Sequence, residues 1–236
     1  DRCYSIQKAK DGGYILGGSS QSNVSGDKTE SSFGSSDFWI IKVDALGVIQ
    51  WQNTIGGSGY DEIWSVNQTK DGGYILGGNS QSNISRDKTE NGNGSNDYWI
   101  VKVDSLGVIQ WQNTIGGSGA DVFNSIQQTT DGDYILGGYS RSNISGDKTE
   151  NSIGGFGIDD YWIVKLSGNY NLISGKAFAD INNNGVQDSG EPSLTGKMIT
   201  EQSTVRFSFS QTNGEYYVSV IDTGNYTVVP QALSWY

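Results

Sequence analysis

A unit of sixty residues recurs almost three times in this chain, and that repetition limits the folds open to it. Equivalent segments start at Asp1, Asp61 and Asp121. Each runs on to Tyr-Ile-Leu-Gly-Gly (14–18, 74–78, 134–138), then to Asp-Lys-Thr-Glu (27–30, 87–90, 147–150), then to an aromatic-Trp-Ile strand holding Trp39, Trp99 or Trp162. The first two continue into GVIQWQNTIGGSG at 47–59 and 107–119. A period of this size means stacked or radially arranged units that share a core. It also argues against an enzyme. A catalytic site needs different groups converging on one spot, whereas each distinctive polar residue here stands in three equivalent places.

The chain has 236 residues, enough for one or two domains. Its 34 glycines and 11% aromatic residues, set against 2 prolines, read as tight turns between Tyr, Trp, Ile and Val strands, an all-β composition. A formal charge of -11 would be repelled by phosphate backbones and anionic lipid, so nucleic acid is not expected as a partner. The same acidity suits a secreted protein that binds divalent cations. There is no histidine, which removes Ser-His-Asp and Cys-His chemistry from the chain, while carboxylate pairs, as in glycosidases, remain possible. Cys3 is alone, so no disulfide framework exists, and its counterparts are Ile63 and Phe123. A position that accepts Cys, Ile or Phe is expected in the core. No apolar run approaches the ~20 residues that span a bilayer, so no membrane insertion is expected. The chain opens inside a repeat and closes at Ser234-Trp235-Tyr236, and is expected to be a piece of a longer secreted polypeptide.

The second unit shows the expected elements. Residues 62–68 read as a strand, Asp71-Gly72-Gly73 as a tight turn, 74–78 as an apolar strand and 79–96 as a polar loop. Residues 97–104 alternate Tyr98, Ile100 and Lys102 with Trp99, Val101 and Val103; Ser105-Leu106-Gly107 turns; 108–115 is a fourth strand. Four short antiparallel strands in one repeat make a β-propeller blade. The glycine pair is expected to let strands crowd near a central axis, and the Trp residues to fill the wedge between blades. Three repeats (1–60, 61–120, 121–166) make an incomplete ring, since propellers usually have four to eight blades. The third also lacks its fourth strand, because Leu166 is followed by Ser167-Gly168-Asn169-Tyr170. The missing blades are expected from upstream sequence or another chain. The Asp27, Asp87 and Asp147 loops have two readings: Asp27 and Glu30 with Asp37 could hold a cation, or the loop could be a side-chain-capped turn. The third copy carries three extra residues between Glu150 and Trp162, which weakens a shared ligand geometry.

After a linker at 167–172 the composition changes. Residues 180–191, Asp-Ile-Asn-Asn-Asn-Gly-Val-Gln-Asp-Ser-Gly-Glu, match a twelve-residue calcium loop position by position. Asp180, Asn182 and Asn184 stand at positions 1, 3 and 5, and Gly185 at the sharp turn. Val186 offers its carbonyl at 7, Asp188 stands at 9 and Glu191 at 12. This oxygen set suits Ca²⁺; the alternative is an Asn/Gly-rich solvated turn. The flanks are not those of a helical EF-hand, since Pro192 follows directly and 195–201, 205–210, 216–221 and 226–229 read as strands. The loop is therefore expected as a rigid corner in a small β-sandwich, residues 173–236, with the metal as a staple.

The text GKAFADINNNGVQDSGEPSLTGKMI, followed by NGEYYVSVIDTGNYTVV, resembles the B-type modules of serine-aspartate repeat surface adhesins, within the wider collagen-adhesin B family. The resemblance implies a calcium-stabilised, transthyretin-like or Ig-like β-sandwich used as a surface stalk, here lacking its last strand. Some relatives carry a Lys-Asn isopeptide; Lys176 is the one candidate on the first strand and no partner is identifiable, so none is expected. Residues 1–166 are similar to the DGGYILGG…DYWIVKVDSLGVIQWQNTIGGSG repeats of large secreted proteins of Bacteroidota, in which propellers precede Ig-like modules. That resemblance implies type IX export. It also brings Asp104-Ser105-Leu106 forward as an O-glycosylation tripeptide, although a β-turn explains it equally well and the first repeat has Ala45 in place of Ser105.

These readings converge on a non-enzymatic, extracellular structural or adhesive segment of a larger bacterial surface or fibre-forming protein. Its expected partners are other copies or other domains of the same long protein. The alternative is a carbohydrate-binding, lectin-like propeller with glycans as partners, for which open faces on Trp51, Trp64 or Trp111 would be needed. A carboxylate glycosidase is a third, weaker reading, because the acids are repeated and not unique.

Overall fold

The structure, a computed structural model, describes residues 1–155, 157–168, 171–182, 184, 186–201, 207–220 and 227–230. It is all-β, with no helix among the described residues, and divides into two compact units, Asp1–Gly168 and Asn169–Tyr236.

The first unit consists of three successive antiparallel sheets. Strands β1 (Arg2–Lys8), β2 (Tyr14–Ser20), β3 (Asp37–Val43) and β4 (Ile49–Ile55) pair in chain order. Strands β5 (Asp61–Gln68), β6 (Tyr74–Ser80), β7 (Asp97–Val103) and β8 (Ile109–Ile115) repeat the arrangement. The third sheet has three strands, β9 (Asp121–Gln128), β10 (Tyr134–Ser140) and β11 (Asp160–Leu166). The Asp-Gly turns form as the sequence predicts. Gly12, Gly72 and Gly132 take φ of 90°, 90° and 98°, which side-chain-bearing residues resist.

The sheets pack face on face in sequence order. Ile15, Phe38 and Ile40 of the first sheet meet Ile63, Leu76 and Trp99 of the second in one buried cluster, with the Phe38 and Trp99 rings 4.8 Å apart. At the next junction the Tyr98 ring lies 5.6 Å from Phe123 and 5.0 Å from Trp162. Alternation thus sends Trp99 backward onto the first sheet and Tyr98 forward onto the third.

The Gly-Gly pair has two separate jobs, neither of them read from the sequence. The second glycine lies under a β-bulge within its own sheet, where the register slips between Cys3 and Ser5, and between Ile63 and Ser65. A Cβ on Gly18, Gly78 or Gly138 would sit 1.9, 2.2 or 2.1 Å from the carbonyl oxygen of Arg2, Glu62 or Val122. The first glycine makes a socket for the following sheet. A Cβ on Gly17 would lie 3.1 Å from Ile63, and one on Gly77 only 2.2 Å from the Phe123 ring.

This geometry corrects the expectation for Cys3. Ile63 and Phe123 are fully buried as plugs in those sockets, but Cys3 is exposed. The equivalence of the three positions is real. Their burial depends on a preceding sheet, and the first sheet has none within the described residues.

The second unit holds two small antiparallel sheets. One pairs β12 (Asn171–Lys176) with β15 (Glu215–Val220); the other runs β14 (Phe207–Phe209), β13 (Met198–Glu201), β16 (Val228–Pro230). β12 starts inside the expected linker 167–172, because Asn171 and Leu172 already pair with Val220 and Ser219. β13 starts at Met198 and not at Thr195, since Gly196 turns at φ 67° and donates its N–H to Ser210 O at 2.7 Å. Parts of the expected strands 205–210, 216–221 and 226–229 lie outside the described residues.

The socket geometry gives a matched pair of substitutions. Gly77→Ala forces a methyl group into the Phe123 ring and should destabilise the first unit by about 1–3 kcal/mol. Gly137→Ala, whose Cβ would meet nothing within 4 Å, should leave the melting temperature unchanged within error. Thermal unfolding of the two variants, followed by circular dichroism, checks the difference.

Candidate metal centre

Residues 180–191 join the two ends of a short turn held by backbone bonds. Ala179 N donates to Pro192 O at 3.0 Å, and Phe178 bridges to Ser193. Inside, the chain folds on its own polar side chains, which is what closely spaced Asp and Asn favour. Asn184 N reaches Asp180 Oδ1 and Asn182 Oδ1, each at 3.1 Å, and Val186 N reaches Asn184 Oδ1 at 2.7 Å. Both side-chain amides, of Asn182 and Asn184, donate to Asp188 Oδ2 at 2.6 Å. Glu191, 9% exposed, closes the loop: Oε1 accepts from Ile181 N at 2.8 Å and Oε2 from Asp188 N at 2.9 Å.

Five of the expected ligand residues, Asp180, Asn182, Asn184, Asp188 and Glu191, are thus linked to one another by hydrogen bonds. Val186 is placed among them by its N–H, with its side chain 61% exposed. The expected turn residue Gly185 lies outside the described residues. The two amides hold the Asp188 carboxyl below the usual carboxylate range, so it is an anion at neutral pH. As arranged, the amides of Asn182 and Asn184 aim nitrogen at Asp188; ligation would require them to turn their oxygens inward. Among the described residues no group of three or more His, Cys, Asp or Glu is spaced to hold a metal ion. The donor chemistry, carboxylate and amide oxygen without nitrogen or sulfur, is of the kind hard cations take.

The repeat loops behave differently. Glu30, Asp37, Asp87, Glu90 and Asp147 are spent on backbone N–H groups. Glu30 Oε2 accepts from Thr54 N at 2.7 Å, and Glu90 Oε2 from Thr114 N at 2.6 Å. Asp37 Oδ2 takes Phe33 N at 2.7 Å and Gly34 N at 3.2 Å. Asp87 locks one sheet to the one before it, its N donating to Gly56 O and its Oδ2 accepting from Gly56 N, both at 3.1 Å. Asp147 holds Gly116 in the same way, at 2.9 and 3.0 Å. These partners favour the capped-turn reading over the cation reading. The role of Asp61 and Asp121 escaped the sequence. Each takes the N–H of Gly57 or Gly117, at 2.7 and 2.6 Å, and so fixes the Gly-Gly-Ser-Gly turn that precedes it. The signal was available, since Gly-Gly stands at the same spacing before both.

Burial dominates the electrostatics of these junctions. It pushes the Asp87 carboxyl up to about 7, and that of Asp97 up to about 6; Asp37 is raised for the same reason. Among the described residues, Asp37 Oδ1, Asp61 Oδ1 and Asp97 Oδ1 are buried without a hydrogen-bond partner. Burial also lowers the neighbouring Lys88 ammonium to about 8.

The three tryptophans that bear on glycan binding separate. Trp111 is buried, Trp51 is partly buried with Nε1 donating to Ser105 O at 3.1 Å, and Trp64 is 38% exposed. Ser105 itself is exposed in the turn held by Asp104, whose Oδ1 accepts from Leu106 N and Val108 N. Among the described residues no helix is long and apolar enough to cross a membrane. No protein-family model matches the chain, and no curated protein matches it.

The raised carboxyls fix the sign of a pH dependence. Between the unfolded carboxylate value of about 4 and the folded value of about 7, the folded chain keeps a proton that the unfolded chain has lost. Stability from Asp87 is therefore full below about pH 4 and falls as the pH rises to 7. Asp87→Asn keeps an acceptor for Gly56 N and should flatten the decline in melting temperature across that window. Asp71 and Asp131, both lowered, act only at more acid pH. Melting curves at half-unit steps from pH 4 to 8 make the measurement.

Proposed function

We propose that this chain is a non-enzymatic segment of a larger extracellular bacterial protein, which works by linking and holding. Its first unit would be three blades of a propeller-type repeat, and its second a calcium-stapled β-sandwich of the kind that the adhesin resemblance implies. The observation that carries the reading is the use made of the repeated acids. Asp61, Asp87, Asp121 and Asp147 each bind backbone N–H groups of a glycine turn, which is a task of construction. The chain's acidity and the oxygen-only loop at 180–191 fit a setting where Ca²⁺ is abundant and disulfides are not the staple used. When bound, Ca²⁺ would supply fixed charge at the corner. Asp180, Asn182, Asn184, Asp188 and Glu191, with the Val186 carbonyl, would hold it.

The calcium reading has a direct test. Added Ca²⁺ at about a hundred times its dissociation constant should stabilise the second unit by about 2.7 kcal/mol, and excess chelator should remove that gain. Glu191→Ala should lose the response to Ca²⁺ and also lower the melting temperature without metal, since Glu191 already ties the loop ends. A calorimetric trace indifferent to Ca²⁺ and chelator rules out the staple.

One observation favours the second reading, glycan binding. The exposed Trp64 ring lies 4.6 Å from that of Tyr4, tilted by 32°. Glu62 Oε1 accepts from Tyr4 and Tyr60 hydroxyls at 2.7 and 3.1 Å beside them. An exposed aromatic face next to a carboxylate is the chemistry on which a sugar ring stacks and hydrogen-bonds. The site is single, because the counterpart of Trp64 in the third sheet is Asn124. A glycan array probed with the chain and with Trp64→Ala should show signals lost in the variant if this reading holds.

A further inference from the structure

The third sheet keeps the residues of a receptor for a fourth strand, and none of the described residues fills it. In the first two sheets that strand is clamped by four groups. Trp39 Nε1 donates to Gln52 Oε1, and Trp99 Nε1 to Gln112 Oε1, both at 3.0 Å. Lys28 Nζ donates to Thr54 Oγ1 at 2.6 Å, and Lys88 Nζ to Thr114 Oγ1. Glu30 and Glu90 take the Thr54 and Thr114 backbone N–H, and the Asp27 and Asp87 carbonyls accept from Gln52 and Gln112 Nε2. The third repeat carries the same four residues in its sequence, as Trp162, Lys148, Glu150 and Asp147. Lys148 already lies over the Trp162 ring, 5.9 Å from its centre, as Lys28 and Lys88 lie over theirs at 5.4 and 5.3 Å. It is 6% exposed, and its ammonium donates to Glu150 O at 3.2 Å in place of a threonine hydroxyl.

The forward face of the same sheet is open as well. Tyr161 and Ile163 are 92% and 67% exposed, whereas their counterparts Tyr98 and Ile100 are fully buried. The socket at Gly137 holds nothing within 4 Å, whereas that at Gly77 holds Phe123. In the first two sheets the strand that completes one sheet runs through Gly-Gly-Ser-Gly directly into the first strand of the next, which plugs the socket. A single segment of that kind would satisfy the edge and then the face.

We propose that the third sheet is a docking site for a further repeat of this same kind, which enters by a strand of the Ile-Gln-Trp-Gln-Asn-Thr-Ile-Gly-Gly class. It pairs with β11 as β4 and β8 pair with β3 and β7, and the sheet behind it covers Tyr161, Ile163 and Gly137. Generic sheet extension does not describe this site, because the clamps read side chains. Gln is needed for Trp162, Thr for Lys148, and Gly at the strand end. A Cβ on Gly56 or Gly116 would come within 1.8 Å of Asp37 or Asp97 Oδ1, and Asp160 stands at that place in the third sheet. The inference rests on reading the sheets as members of a continuing repeat, and is independent of the calcium loop.

The test titrates a labelled peptide with the sequence of residues 107–119 onto the full chain, read by fluorescence anisotropy and by hydrogen exchange. Saturable binding with one site per chain and slowed exchange confined to Asp160–Leu166 is the expected result. The same peptide carrying Gly116→Ala, and the chain carrying Glu150→Ala, should each bind at least about tenfold more weakly. Glu150 is exposed, so its replacement leaves the fold intact. Absence of binding overturns the proposal. Equal binding by the Gly116→Ala peptide or by a scrambled sequence also overturns it, since that would mark a merely adhesive edge. Either failure would leave the response of the second unit to Ca²⁺ untouched, so the two readings fall separately.

Discussion

Phe123 enters the space that Gly77 leaves, and Ile63 the space that Gly17 leaves, and the first unit depends on these two insertions. Each sheet alone is a small antiparallel ribbon with apolar residues on both faces and little to bury them against. The glycine socket lets two such faces approach until Phe38 meets Trp99, and Tyr98 meets Phe123 and Trp162. The polar locks follow from that closeness. Asp87 can hold Gly56, and Asp147 Gly116, only because the sheets are already seated. The high proton affinity of Asp87 and Asp97 is the cost of placing carboxylates in so dry a junction.

Much of the strand pattern was legible, because period-2 alternation and Asp-Gly turns act locally. The strands read at 97–104 and 108–115 form as Asp97–Val103 and Ile109–Ile115, and the loop read at 79–96, which starts after Ser80, carries the capping acids. The use of the Gly-Gly pair was not legible. Crowding at a common axis was the expectation, and the actual partners of these glycines are a bulged neighbour strand and a plug from the next sheet. Both are contacts between residues far apart in sequence. Cys3 shows the same limit from the other side. Sequence equivalence with Ile63 and Phe123 placed it in the core; the register is the same, but burial depends on what lies beyond that face.

In the candidate metal loop, spacing alone brought the five expected ligand residues together, since Asp and Asn at alternate positions bend the chain onto their own side chains. Spacing could not show that Glu191 already spends both oxygens on loop N–H groups, nor that the two Asn amides turn toward Asp188. Both arrangements depend on how the loop folds and on the charge placed within it.

The two faces of each sheet are different surfaces, one bearing plugs and Trp, the other sockets and Phe or Tyr. A contact between unlike surfaces has no twofold axis to end it, so it propagates in one direction until geometry closes it. The rotation between neighbouring sheets therefore acts as a counting device. If it divides evenly into a full turn the series shuts into a ring with a fixed number of members, and if not it runs on as a helix. The two junctions differ in the residue their sheets present, Phe38 at the first and Tyr98 at the second, so the repeat is not identical from one step to the next.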